Sequence, residues 1–241
     1  MSWGYRYRYY GKPSVANQKA NAEKQLSKLR KTYPEIEPVS IEGNKIAKTW
    51  WGISWCKNLE RYADYENRIE RGRSYVKNGL VLDLKITAGT VIAMVSGSDV
   101  YDVAVKINQL PGKKWEEITS HCAERIDSIA QLVDGEFPEE LADVFMQQGS
   151  GLFPAPREIH LYCSCPDVAR MCKHVAAVLY GVGARLDTDP LLFFTLRRIN
   201  PTALIKKSVD EKMKSLLANA NKRSKRVIRE KDVERIFGLS G

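Results

Sequence analysis

Between Ser14 and Pro34 the chain reads SVANQKANAEKQLSKLRKTYP, polar and basic with only a thin line of apolar positions. That pattern predicts a helix lying on a surface, ended by Pro34, whose ring cannot continue the helical hydrogen bonding. From Thr49 the character changes. TWWGISWCKNLERYADYENRIERG spaces Trp51, Trp55, Leu59 and Tyr62 by four, four and three residues, a helical stripe suited to a core. GLVLDLKITAGTVIAMVSGSDVYDVAVKI then alternates or runs apolar in three stretches, each break holding Gly, Ser or Asp. It predicts an antiparallel meander over residues 80–107. WEEITSHCAERIDSIAQLVDG returns to helical spacing through Ile118, Cys122, Ile126, Ile129 and Val133, and PEELADVFMQQG predicts a shorter helix opened by proline.

After the connector GSGLFPAP, REIHLYCSC alternates like a strand until Pro166 stops it. HVAAVLYGVGARL is helical, with Val175, Val178, Leu179 and Val182 on one face. LDTDPLLFFTLRRI predicts another helix, with Asp189 as N-cap, Pro190 as its first residue and Leu192, Leu196 and Ile199 as its buried stripe. Arg197 and Arg198 would close it, where cations suit the helix dipole or could meet a phosphate. The fold class expected is α+β, an antiparallel meander with flanking helices. The organisation expected is a basic arm and helix over 1–48, the meander domain over 49–150, a cysteine-rich module over 151–200 and a basic tail over 201–241.

Composition narrows the function. With 241 residues, 44% hydrophobic and 28% charged, the chain reads as a globular protein with a core of its own. No apolar run approaches a membrane span. The opening MSWGYRYRYY lacks the apolar stretch of a secretory signal. A cytoplasmic location is expected, where thiols stay reduced, and an odd count of five cysteines argues against a disulfide framework. Cys56 and Cys122 fall on apolar helix faces and read as small core hydrophobes. His121 and His160 stand apart from any acid or nucleophile pattern and read as structural.

The net charge of +9 is uneven: +6 over residues 1–50, −5 over 51–150, +2 over 151–199 and +6 over 200–241. Basic ends favour a polyanionic partner, nucleic acid above all, with DNA favoured. Arg6 and Arg8 alternate with Tyr5, Tyr7 and Tyr9, a pattern that can hold phosphates and stack bases if it is more than an edge strand or a solvated end. The tail offers Lys222, Arg223, Lys225 and Arg226 as a second basic grip or a solvated helix.

The concentrated chemistry is CSCPDVARMCKH, residues 163 to 174. On a strand, Cys163 and Cys165 face the same side. Cys172 and His174 would lie about 200° apart within a regular helix, so they converge only if Cys172 sits in the turn and His174 in the first helical turn. Three thiolates and one imidazole make a tetrahedral soft-ligand set that zinc suits best. Iron–sulfur usually takes four cysteines. A thiol-rich corner without metal and a catalytic cysteine are the remaining alternatives, the latter needing an exposed thiolate with its own base. With four protein ligands no position is left for water, so one zinc here would be structural. Lys173, between two ligands, and Arg170 are the candidate phosphate contacts of this stretch.

C-x-C, six residues, then C-x-H, in the context CSCPDVARMCKHVAAVLYGVGARLDTDPLLFFTLR, resembles the SWIM zinc finger. IAKTWWGISWCKNLERYADYENRIERGRSYVKNGLVLDLKI, VSGSDVYDVAVKI and SGLFPAPREI resemble the upstream region of bacterial SWIM zinc finger family proteins, so that the resemblance spans residues 36 to 200. It implies a small ββα module in which Cys163, Cys165, Cys172 and His174 hold one zinc. It also implies association with a Swi/Snf-type helicase and contact with DNA or protein partners. Together these readings predict a non-enzymatic nucleic-acid-binding or adaptor protein, with a pure protein–protein interaction module as the alternative. The acidic residues of 51–150 are scattered and form no cluster with the open metal positions a nuclease needs.

Overall fold

The computed structural model describes residues 13–62, 66–123, 139–146 and 151–220. Helix α1 (Val15–Thr32) is opened by Ser14, whose hydroxyl accepts from the Asn17 N–H, and ends with the Tyr33 N–H on the Leu29 carbonyl, just before Pro34. The stripe beginning at Trp51 forms α2 (Trp50–Glu60), and α3 (Glu66–Lys77) follows it. The meander is β1 (Val81–Thr87), β2 (Thr90–Ser96) and β3 (Val100–Ile107). Helix α4 (Gly112–Ala123), the short α5 (Ala142–Met146), β4 (Ile159–Cys163), α6 (Lys173–Thr188), α7 (Leu192–Arg197) and α8 (Thr202–Ala220) complete the described α-helices and strands. Ile126, Ile129 and Val133, Arg6 and Arg8, and Lys222, Arg223, Lys225 and Arg226 lie outside the described residues.

The four strands form one antiparallel sheet in the order β1-β2-β3-β4. Alternation sends Val91, Ala93 and Val95 of β2 and Val103, Val105 and Ile107 of β3 into the core, all within 2% of full burial. Against that face lies α6, in which every residue from His174 to Gly183 is buried. A helix hidden all round needs apolar and small residues on every side, not on one stripe. VAAVLYGVG supplies them. Helix α3 presses on α6 so closely that a Cβ at Gly72 would lie 2.4 Å from the Ala176 Cβ. Helix α2 packs alongside and is pinned by the fully buried Trp55, whose indole N–H donates to the Leu179 carbonyl at 2.9 Å. Cys56 and Cys122 are buried, and burial pushes the Cys56 thiol up to about 12.

On the opposite face of the sheet, α1 covers one end only, packing Ala22, Leu26 and Leu29 against Leu80, Leu82, Met94 and Val100. The free edge of β1 is closed by the incoming chain: Leu84 N–H donates to the Glu37 carbonyl and Val39 N–H to the Val81 carbonyl.

The region after α6 departs from expectation. Asp189 ends α6, its own N–H on the Arg185 carbonyl, and its carboxylate accepts from Leu191 N–H, so the next helix starts at Leu192 and not at Pro190. Phe193, Phe194 and Leu196 are buried there, and Leu192 and Ile199 only partly. Arg197 is no surface cap: it is 1% exposed, donating to the Asn108 carbonyl at 2.9 Å and pairing with Glu158 at 3.0 Å. Arg198 takes the left-handed C-cap position, with φ of 53°, and its Nε donates to the Ala88 carbonyl. No described helix is long and apolar enough to cross a membrane.

Candidate metal centre

Cys163 is the last residue of β4. It stands in one cross-strand row with Val103, Ala93 and Leu84, and so points to the core face. Ser164 prolongs the pairing by one step: its N–H donates to the Asp102 carbonyl and its hydroxyl accepts from Asp102 N–H, each at 3.0 Å. That keeps the alternation intact, so Cys165 returns to the side of Cys163. Pro166 then forces the chain out. Asp167 organises the turn by accepting from Ala169 N–H at 3.2 Å and pairing with Arg68 of α3 at 2.9 Å. Burial would raise the Asp167 carboxyl, but the Ala169 N–H and Arg68 outweigh it and hold it below its ordinary value.

The turn delivers Cys172 as the N-cap of α6, its backbone extended and its carbonyl taking the Ala176 N–H at 3.0 Å. His174 is the second helical residue and is 1% exposed. This is the geometry that a C-x-H pair requires, one ligand before the helix and one inside its first turn. All four ligand atoms lie within 4.8 Å of one another. His174 Nδ1 stands 3.7 Å from Cys163 Sγ and 3.9 Å from Cys172 Sγ. Metal bonds of about 2.3 Å to sulfur and 2.0 Å to nitrogen put tetrahedral ligand atoms roughly 3.5–3.8 Å apart, so the observed spacing fits one zinc ion.

The surroundings fit as well. The Cys163 thiol, hydrogen-bonded to Cys172, holds Cys172 below the ordinary thiol value against the effect of burial, helped by His174 and the Val175 N–H. The same bond, with burial, pushes Cys163 up. A sulfur that sheds its proton so readily is poised for a cation. The imidazole is clamped between Tyr101, stacked at 4.5 Å, and Tyr75, edge-on at 5.5 Å. Its Nε2, turned away from the sulfurs, is buried without a hydrogen-bond partner. A Cβ on Gly97 would come within 2.7 Å of the Tyr101 ring and 3.2 Å of that nitrogen. Gly97→Ala is therefore expected to cost about 1–3 kcal/mol through overpacking and to weaken zinc retention. Thermal melting and competition with a chromogenic chelator would measure both, and an unchanged chelator midpoint would refute the second effect.

The two basic residues singled out in this stretch have different fates. Arg170 is exposed, but its guanidinium donates to the Pro156 and Ile159 carbonyls. Lys173 is half-buried with Nζ 5.8 Å from the centre of the Tyr75 ring. Burial first, and the neighbouring Arg71 second, lower its pKa. Arg71 is exposed on α3, about a hundred residues away in sequence, and so escapes any reading of spacing along the chain. His121 bonds the Glu117 carbonyl and His160 the Asn108 side chain, and neither reaches the metal centre.

Residues 146–182 match the model of the SWIM zinc finger. The chain is 37% identical over 175 residues to the uncharacterized protein Rv2102 of Mycobacterium tuberculosis (strain ATCC 25618 / H37Rv), over 68% of this chain. The shared stretch spans 63% of that relative's length. No solved structure matches.

Proposed function

This chain carries a SWIM zinc finger, and from that premise we propose that it is a zinc-stabilised, non-enzymatic nucleic-acid-binding protein. With four protein ligands around the site, zinc has a structural task, fixing the β4–α6 corner. The observation that supports nucleic-acid contact best is the pairing of like charges beside that corner. Lys173 and Arg71 stand close enough for their charges to oppose one another, with Asp167, itself paired with Arg68, and the sulfurs of Cys165 and Cys172 acting the other way on Lys173. A bridging phosphate relieves such a pair. The chain's net charge of +9 adds long-range attraction. Among the described residues no recognition helix is indicated, so the reading is backbone-directed binding with DNA favoured.

One observation favours the protein-docking alternative, in which the partner is a Swi/Snf-type helicase. Val209, Met213, Leu216 and Leu217 lie at i, i+4, i+7 and i+8 of α8, each more than half exposed.

Titration of the zinc-loaded protein with single-stranded DNA, duplex DNA and RNA, at low and near-physiological salt, separates the two. Micromolar or tighter binding is expected. Its salt slope should fall by about 1 in Arg71→Ala and again in Lys173→Ala, as each removes one cation from a phosphate. Binding that disappears at physiological salt would leave the docking reading.

A further inference from the structure

The described residues cover only half of the outer face of the sheet, the face opposite the metal ligands. Helix α1 stops over Met94 and Val100. Past it, strand pairing lines up Lys85, Ile92, Ala104 and Tyr162 in one row, with Thr87, Thr90, Lys106 and His160 in the next. Antiparallel partners share a face, so all eight side chains project to the same side. Ile92 is 56% exposed and Tyr162 is 61% exposed. These are large apolar groups on a face where alternation would place polar ones, and Tyr162 has no ring or side-chain hydrogen-bond partner among the described residues. Between them Ala104 leaves a notch about 10 Å across, two strand spacings wide. Lys85 ends the first row, and Lys106 and His160 sit in the second. Among the described strand residues the one exposed acid on this face, Asp102, is set back towards α1.

We infer that this open half-face is a platform for single-stranded nucleic acid; the inference rests on the nucleic-acid reading above and assigns it a second surface, on the side of the sheet opposite the metal ligands. An aromatic ring lying free on a sheet stacks one base, an adjacent aliphatic side chain supports the next, and flanking lysines take the phosphates. Duplex DNA keeps its bases inside and cannot use such a ring, so the surface selects unpaired strands. Shape, not charge, decides against an acidic protein as occupant, because a shallow notch between a flat exposed tyrosine and an isoleucine gives such a partner no deep pocket for an anchor side chain.

The test uses the full zinc-loaded chain and labelled oligo-dT and oligo-U of about 15 nucleotides, with a duplex of equal length, read by fluorescence anisotropy at near-physiological salt. Tyr162→Ala is expected to weaken single-strand binding about 5- to 150-fold, the range of one lost base stack. Tyr162→Phe is expected to stay within about twofold, since it retains the ring, and duplex binding is expected to be unmoved by either. One bound zinc per chain in each variant confirms the fold. Wild-type-like single-strand binding by Tyr162→Ala, with loss in Arg71→Ala and Lys173→Ala, would overturn the platform and leave the finger reading standing. No binding of any nucleic acid by the wild type would overturn both. Concentration-dependent self-association abolished by Tyr162→Ala would assign the face to a second copy of the chain and overturn the platform too.

Discussion

The Cys163→Ser and His174→Ala variants are expected to purify without zinc and to melt far below the wild-type chain. Structural zinc sites in small peptides bind with about 10–16 kcal/mol of apparent free energy. Here the ion joins the end of β4 to the start of α6, and α6 is the buried axis of the whole described core. Removing one ligand leaves three soft donors clustered without their cation, and it unties His174 from its place between two tyrosines. A loss on the order of 5 kcal/mol, or about 10–20 °C in melting temperature for a chain of this size, follows. Metal analysis and calorimetry check it. Full zinc content in both variants would refute the assignment of these ligands, whereas zinc loss with unchanged melting would refute the claim that the ion supports the core.

Arg197→Met or Arg197→Ala is expected to cost about 3–5 kcal/mol, the penalty for breaking a buried ion pair from one side. Arg197 is 1% exposed and Glu158 15% exposed at the side chain, so water replaces the lost partner only in part. Glu158 also accepts from Ala155 N–H at 2.8 Å, fixing the turn that leads into β4. Burial alone would raise the Glu158 carboxyl, but the Ala155 N–H and the Arg197 guanidinium outweigh it and hold it below the ordinary value. A depressed folded-state pKa stabilises above the unfolded value, and that contribution is lost as pH falls through the folded one. The wild type should therefore exceed Glu158→Gln in stability at neutral pH. The gap should close in acid, below about pH 4.3. A gap independent of pH in denaturant titrations would mean that the pair contributes packing and not charge.

These two predictions mark how far the chain can be read by itself. The zinc ligands are legible because they fall within twelve residues, and strand alternation plus a helix start is enough to converge them. The meander is legible because its apolar runs have strand length and each break between them holds Gly, Ser or Asp. Arg197 is not, because its partner Glu158 lies 39 residues upstream and its other acceptor, the Asn108 carbonyl, lies 89 away. From spacing alone a terminal arginine looks like a helix cap. The same holds for Tyr75, Gly97 and Tyr101, which shape the His174 pocket from α3, the β2–β3 hairpin and β3. The segments 49–150 and 151–200, expected as separate units, share one sheet and one core among the described residues, since β4 completes the meander. Periodicity reports which face of an element is apolar, but not which distant element will cover it.

That shared sheet governs what can be cut or transplanted. A fragment beginning at residue 151 would carry all four metal ligands, yet it would leave behind Val103 and Val105, the partners that hold β4 in register. The fragment's strand would then have no template, and Cys163 and Cys165 would lose the alternation that aims them at His174. The complementary piece, ending before β4, would bare the β3 edge as a ready site for strand-to-strand aggregation. Grafting this finger onto another protein therefore requires grafting its sheet, and truncation mapping across residue 150 would report misfolding where it was meant to report function.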